Sequence, residues 1–317
     1  LAKQKHADGL LPRTSYDLAE IGAREIVYDS VFKCKACENL CPIQVLKVGG
    51  HTYMFGGRCN KYANLRKKAA DADVTDWVRE RTELLYVTSA PNPAELVVKR
   101  DFVVGIPRCF SVHTLYPFYS WFFHKLGVRT FLSEEVDRDG VARAESAYCF
   151  PAEIAHGAVE DVWKKGADYI FLPHFRDMPS YENNVHANFC PITQALPYYI
   201  KKAFPDIPSE KFLDVVVSFK FGQAKALEHF VALGARLGIG AAEIEAAFET
   251  GSAKQDAYFK EAAAIGRRAL DEARLAKKPV IAILGRPYNA YTADANMGIP
   301  RKFTSRGYSV IPFDFLP

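Results

Sequence analysis

The sequence predicts an α/β fold: a mostly parallel sheet with helices on both faces, preceded by a small cysteine-rich hairpin module. Three observations carry that expectation. From residue 101 onward, short apolar runs alternate with amphipathic stretches, the pattern of βαβ units. Four of the seven cysteines fall within residues 34–59, around two alternating runs joined by Gly49-Gly50. The 317 residues are 49% hydrophobic and 25% charged, an ordinary globular composition with the length of about two domains.

Residues 1–30 read as an N-terminal extension, with a short amphipathic helix over 17–28. Residues 31–90 read as the cysteine-rich module. There 44–48 alternate like a strand, Gly49-Gly50 makes a hairpin turn, and 52–55 return as a second strand. Gly56-Gly57 then brings in Cys59. A helix is expected over 75–85, and Pro91-Asn92-Pro93 reads as a linker. Residues 91–317 read as the α/β domain. Strands are expected at 102–106, 128–132, 169–172 (stopped by Pro173), 212–219, 280–284 and 308–311, with 280–284 apolar enough to be buried. Helices are expected over 117–126, 153–164 (closed by Gly166), after Pro191, and over 223–237, 241–276 and 298–306. Within 241–276, Tyr258, Ala262, Ile265 and Ala269 recur at i, i+4, i+7 and i+11, one helical face. The chain begins with Leu1 and stops at Pro317 just after a strand, so it reads as an excerpt of a longer polypeptide, truncated at the C-terminus.

Lys plus Arg number 41 and Asp plus Glu 37, a net charge of +4. The longest basic run is Arg66-Lys67-Lys68, a weak footprint for nucleic acid. The aromatic stretch 115–123 is broken by Pro117 and Ser120 and falls short of the roughly 18 apolar residues of a membrane span. No export signal is visible. A cytoplasmic chain is expected, in which clustered cysteines point to metal rather than to disulfides. Neither a phosphate-binding G-x-x-x-x-G-K-[ST] loop nor a G-x-G-x-x-G fingerprint occurs.

The strongest motif is Cys34-x2-Cys37-x3-Cys41-Pro42, followed after the hairpin by Cys59. Four thiolates on tight loops suit one metal centre. A [4Fe–4S] cluster fits the spacing, and so does a structural Cys₄ zinc ribbon. The x3 spacing and the single late cysteine lean towards iron and sulfide.

The other three cysteines also lie at element boundaries. Cys109 follows the first α/β strand, while Cys149 and Cys190 each precede a helix. Loops at the carboxyl ends of parallel strands converge on the ligand crevice, and helix N-termini favour thiolates. Three such cysteines would bind a second cluster with one iron left open. The plainer alternative is three buried free thiols. Glu153 and His156 share one helix face near Cys149. His113 and His174 lie near the same loops, where a structural hydrogen-bonding role is the commoner one. Arg286, in Gly285-Arg286-Pro287-Tyr288, stands where it would meet a phosphate or carboxylate; an exposed turn residue is the alternative.

Several segments together resemble one family. They are Gly105-Ile106-Pro107-Arg108, Tyr116-Pro117-Phe118, Cys149-Phe150-Pro151-Ala152-Glu153, His156-Gly157, the run 165–173, Cys190-Pro191, Gly285-Arg286-Pro287-Tyr288 and Gly298-Ile299-Pro300. As a set they resemble the acyl-CoA dehydratase activase-related domain, allied to the 2-hydroxyacyl-CoA dehydratase and benzoyl-CoA reductase families. The run 55–62 is similar to the cysteine-containing module that precedes this domain in long activase fusions. The resemblance covers about residues 31–317. It implies a dehydratase-subunit-like α/β fold, iron–sulfur clusters, and ATP-driven electron transfer at low potential. It also implies an actin-like ATPase activase as partner, in cis or in trans, and acyl-CoA as substrate. The seven cysteines then divide into a closed cluster on Cys34, Cys37, Cys41 and Cys59 and an open one on Cys109, Cys149 and Cys190. On this expectation the chain is an oxidoreductase or a component of a 2-hydroxyacyl-CoA dehydratase-type lyase. Two alternatives stand beside it: a zinc-ribbon-bearing binding or assembly module without catalysis, and a complete 2-hydroxyacyl-CoA dehydratase subunit.

Overall fold

A computed structural model of the chain describes residues 19, 22–35, 40–57, 62, 75–146, 148–178, 187–304 and 306–316. The chain divides into two compact units, Leu1–Lys68 and Ala69–Pro317.

The first unit carries a three-stranded antiparallel sheet of β1 (Ile26–Lys33), β2 (Pro42–Val48) and β3 (His51–Gly56), in that order. Gly49 and Gly50 take φ of 52° and 78°, both left-handed. A two-residue hairpin turn that follows the strand twist requires this, and glycine supplies it without steric cost. Ile43 and Val45 bury one face of β2. The helix expected over 17–28 is corrected here, because Ile26 to Tyr28 belong to β1. The strand signal was hidden by a register shift between Tyr28 and Val31, which breaks the alternation.

The second unit opens with α1 (Trp77–Glu83), which continues as a π-helical turn, Leu84–Thr88. Next come β4 (Val103–Ile106), α2 (Val112–Lys125), β5 (Arg129–Leu132), α3 (Arg138–Ala142), α4 (Phe150–Lys164) and β6 (Tyr169–Asp177). Then follow α5 (Pro191–Gln194), α6 (Leu196–Ala203), β7 (Phe212–Ser218), α7 (Gln223–Arg236) and the long α8 (Ala241–Leu275). β8 (Val280–Ile283), α9 (Pro287–Ala290), α10 (Ile299–Thr304) and β9 (Ser309–Pro312) end the unit.

The main sheet is parallel throughout, with strand order β5-β4-β6-β7. The chain starts at β4, steps out to β5, then returns across β4 to β6 and β7. Its winding therefore reverses between β4 and β6, and ligands of open α/β sheets bind outside the carboxyl ends at such a point. Helices cover both faces, as the sequence predicts. On one face Phe118, Phe122 and Phe123 of α2 pack with Phe171, Phe230 and Phe248. Phe118 meets Phe230 and Phe248 edge-on at 5.4 and 5.2 Å. On the other face Ala155, Val159 and Val162 of α4 and Ile200 of α6 pack on Ile170, Leu172 and Phe212.

Two expectations about strands change. β6 runs through Pro173 instead of stopping there. It pairs with β4 only at Tyr169 and Ile170 and beyond them with β7, so the missing N–H of Pro173 breaks no bond on the β4 side. β8 is half exposed rather than buried. It pairs with β9 alone among the described residues. The helix face read from Tyr258, Ala262, Ile265 and Ala269 is buried as expected, against Trp77, Leu85, Ile311 and Phe315. Among the described residues no helix is long and apolar enough to cross a membrane.

Candidate functional site

Three of the seven cysteines lie beyond the carboxyl edge of the parallel sheet. Cys109 follows β4 in a turn closed by its N–H to the Pro107 carbonyl at 2.8 Å. The next residue, Phe110, is buried yet has φ of +40°. A bulky residue held there costs about 1–3 kcal/mol and persists only where its surroundings fix it. The ring of Tyr288, edge-on at 5.0 Å, is part of that clamp. Cys149 is the N-cap residue of α4, and Cys190 is that of α5, each with proline in the first turn. Serine, threonine or aspartate would be the ordinary choices at both positions.

The surroundings of the thiols differ. Burial pushes the Cys109 thiol up to about 12. For Cys190 burial acts in the same direction, but the N–H groups of Ile192 and Thr193 and the guanidinium of Arg286 outweigh it. That thiol therefore lies below its ordinary value. Arg286 itself donates to the Tyr288 hydroxyl at 3.2 Å. Tyr288 belongs to the apolar cluster that holds Cys109, with Cys149 and Tyr199 packed against it.

Tyr199 is one of the residues packed against this cluster. Its hydroxyl is buried and has no hydrogen-bond partner among the described residues. Burial raises its pKa far above 10, and Cys109, Tyr148, Cys149 and Cys190 all lie close enough to act on it electrostatically. The ring is stacked on His156, centroid to centroid 5.5 Å. His156 is itself buried, stacks on Phe204, and its Nδ1 lies 2.7 Å from the Ala152 carbonyl oxygen. Burial holds it below the usual histidine range, so it acts as a neutral support behind Tyr199. An unsatisfied buried hydroxyl costs about 1–3 kcal/mol, and the Thr193, Ser252 and Tyr258 hydroxyls share that condition.

Among the described residues no three His, Cys, Asp or Glu side chains lie close enough to hold a single metal ion.

Residues 103–316 match the family described as CoA enzyme activase uncharacterised domain (DUF2229). The chain belongs to that family. No curated protein and no solved structure matches it. In this CoA enzyme activase domain the matched region includes Cys109, Cys149, Cys190, Tyr199 and Arg286, while the cysteines of the first unit precede it.

In that first unit Cys34 directly follows β1 and Cys41 directly precedes β2. The Cys34 N–H donates to the Cys41 carbonyl at 2.9 Å, which brings the two residues together at the end of the sheet. Leu40, just before Cys41, also takes a left-handed φ of 40°. Cys37 and Cys59 lie outside the described residues.

Other candidates find plainer places. Glu153 stands half-buried in the first turn of α4, where its charge complements the helix N-terminus. His174 sets its Nδ1 3.1 Å from the Gln194 carbonyl oxygen and its ring against Tyr198. His113 is part of a support that sequence reasoning missed. Its Nε2 lies 3.0 Å from the Arg108 carbonyl, the residue before Cys109, and its Nδ1 lies 2.7 Å from the Tyr86 hydroxyl. The Arg108 guanidinium covers the Tyr86 ring at 4.4 Å. No local motif marks Tyr86 or Tyr199. Each acquires its role only when distant elements pack.

Proposed function

We propose that this domain is an iron–sulfur redox protein acting in ATP-driven electron transfer at low potential. Cys109, Cys149 and Cys190 hold a cluster with one iron left open. Cys34, Cys37, Cys41 and Cys59 hold a closed cluster that relays electrons to it. One observation carries this reading. Cys109, Cys149 and Cys190 all lie beyond the carboxyl edge of one parallel sheet, and Cys109 and Cys149 share one apolar cluster.

The donor set fits such a group. A [4Fe–4S] centre takes each thiolate on a different iron, and three cysteines at the carboxyl edge supply the soft donors it needs. Cys190 favours its thiolate already. Cys109 must release its proton on binding, which the positive charge of the metal drives. The apolar shell of Phe110, Ala155, Ile200 and Tyr288 keeps water away and so tunes potential. When bound, the cluster supplies one-electron chemistry. The partners on this reading are an actin-like ATPase activase, which energises the electron, and an acyl-CoA dehydratase or reductase, whose substrate receives it. A cavity of about 260 Å³ has apolar walls of Leu115, Phe118, Met178 and Phe219 and a polar side with Gln255 and Asp256, and its apolar part has the size for a short acyl group.

Anaerobic reconstitution of the full chain with ferrous iron and sulfide, followed by iron counting and EPR, tests the reading. A reduced-cluster signal is expected. Cys149→Ala and Cys190→Ala should each lose one share of the iron, and Cys34→Ala and Cys41→Ala the other. A colourless protein containing only zinc would overturn it.

A further inference from the structure

We infer that the cavity at the carboxyl ends of β6 and β7 binds a short acyl group in neutral form, as an amide, ester or thioester, and that it rejects the free carboxylate. The inference deepens the acyl-CoA part of the reading above and rests on it for what the ligand is for. Binding itself involves none of the cysteines, since no cysteine stands among the described residues that line the cavity.

The wall is held in place by two buried clamps. α2 breaks at Leu115 (φ −106°, ψ 16°), just ahead of Pro117, which has no N–H for a continuous helix. In an unbroken helix the Phe118 N–H would meet the Thr114 carbonyl. Here the Gln255 amide, 5% exposed, serves both groups. Its Oε1 accepts from the Phe118 N–H at 3.2 Å, and its Nε2 donates to the Thr114 carbonyl at 3.1 Å. Gly251, one turn earlier, lets α8 come this close, because a Cβ there would stand 2.7 Å from the Phe118 carbonyl oxygen. Leu115 and Phe118, on either side of the break, both line the cavity. The second clamp is Asp177, 1% exposed, which accepts from the Ser218 hydroxyl and from the Lys220 N–H at 2.8 Å. It ties the end of β6 to the end of β7, and the residues that follow those ends, Met178 and Phe219, are also wall.

The polar side comes from one face of α8, where Ser252, Gln255, Asp256 and Phe259 stand at i, i+3, i+4 and i+7. Ser252 Oγ is buried without a hydrogen-bond partner among the described residues, and of the side-chain atoms in that condition it alone belongs to this lining. Its O–H is the donor for a carbonyl oxygen. Asp256 is exposed and marks the open side. No Lys, Arg or His stands among the described lining residues. A ligand carboxylate would therefore lose water without gaining a cation, and would meet a like charge at the mouth. A neutral carbonyl carries neither cost. The volume of about 260 Å³ gives room for about ten non-hydrogen atoms, since a cavity of about 150 Å³ holds benzene.

The test titrates hexanamide and hexanoate, probes of equal size that differ in charge, into the full chain by calorimetry at neutral pH and low salt, without iron. Hexanamide should bind about tenfold more tightly than hexanoate. Ser252→Ala should weaken hexanamide binding about fivefold, the worth of one neutral hydrogen bond. The thermal midpoint of the unliganded variant should be unchanged or higher, because the hydroxyl it removes has no partner among the described residues. Asp256→Asn should narrow the ratio between the two probes. Hexanoate binding as tightly as hexanamide, hexanamide binding unmoved by Ser252→Ala, or no saturable binding of either probe would overturn the inference. Each of those results would leave the cluster reading to its own iron count, and a chain without iron could still bind hexanamide.

Discussion

Acidification should loosen the second unit through one imidazole. His113 is 5% exposed and sits at the start of α2. Its Nε2–H donates to the Arg108 carbonyl, so Nδ1 is the acceptor for the Tyr86 hydroxyl. Both ring nitrogens are thus used in the neutral form, with the Thr292 hydroxyl 3.4 Å from Nδ1. Two cations lie nearby. Arg108 covers the Tyr86 ring, and Arg81 donates from Nη2 to the His113 carbonyl at 2.8 Å. Burial first, and then these charges, hold the His113 pKa down to about 3. In the unfolded chain it titrates near 6.5. Below that pH the unfolded state takes up a proton that the folded state refuses. The contribution is complete above about pH 6.5 and is lost as pH falls towards about 3. The slope approaches about 1.4 kcal/mol per pH unit, so about 3 kcal/mol is gone by about pH 4. Carboxylates also titrate in acid, so the informative quantity is a difference. Urea unfolding of wild type and His113→Gln across this window should show the gap between the two narrowing steadily with acidity. Parallel losses in the two proteins would refute the reasoning.

Two structural predictions accompany it. Arg81 is 2% exposed and donates from Nε to Asp314 Oδ2 at 2.7 Å, so Asp314→Ala leaves a buried guanidinium with only the His113 carbonyl and the face of Tyr291. The expected loss by denaturant unfolding is about 3 kcal/mol, the low end for breaking a buried pair because the Asp314 side chain is 19% exposed; a loss under about 1 kcal/mol would show that water screens the pair. A Cβ at Gly266 would stand 1.5 Å from the Phe315 carbonyl oxygen. Gly266→Ala should therefore cost the upper part of the roughly 1–3 kcal/mol of overpacking, and an unchanged thermal midpoint would show that the 313–316 segment does not seat against α8.

Much of the fold was legible because local and global signals agree. Val103 to Ile106 and Phe212 to Ser218 are short apolar runs that pack with helices on both faces, and the face of α8 follows its 3.6 period. Disagreement arises where neighbours decide. Pro173 is a strand breaker by composition, yet it lies where β6 has no β4 partner. β1 is rich in strand formers, but its bulge destroys the period on which a sequence pattern depends. At the site, the strand-end positions of Cys109, Cys149 and Cys190 could be inferred from punctuation alone, since each sits beside a turn or a proline. Tyr199 could not. Its significance is an unmet hydrogen bond, and that is a property of packing, not of sequence.

The support of the site also begins earlier than the family match. Asp314 holds Arg81, Arg81 holds the His113 carbonyl, His113 holds the Arg108 carbonyl, and Cys109 is the next residue. Tyr86 completes the chain from the other side of the imidazole. Arg81 and Tyr86 lie on α1 and its π-helical extension, ahead of residue 103, where the matched region starts. Without them His113 Nδ1 would lose its phenol donor and keep only the longer contact to Thr292, and the partly exposed Asp314 would lose its guanidinium. The strained turn at Phe110 relies on a neighbourhood that holds it in place, and part of that neighbourhood is this hydrogen-bonded chain. In physical terms the unit that positions Cys109 therefore starts at α1 rather than at β4. The C-terminal 3₁₀ turn at Phe313–Phe315, remote in sequence, is its far anchor.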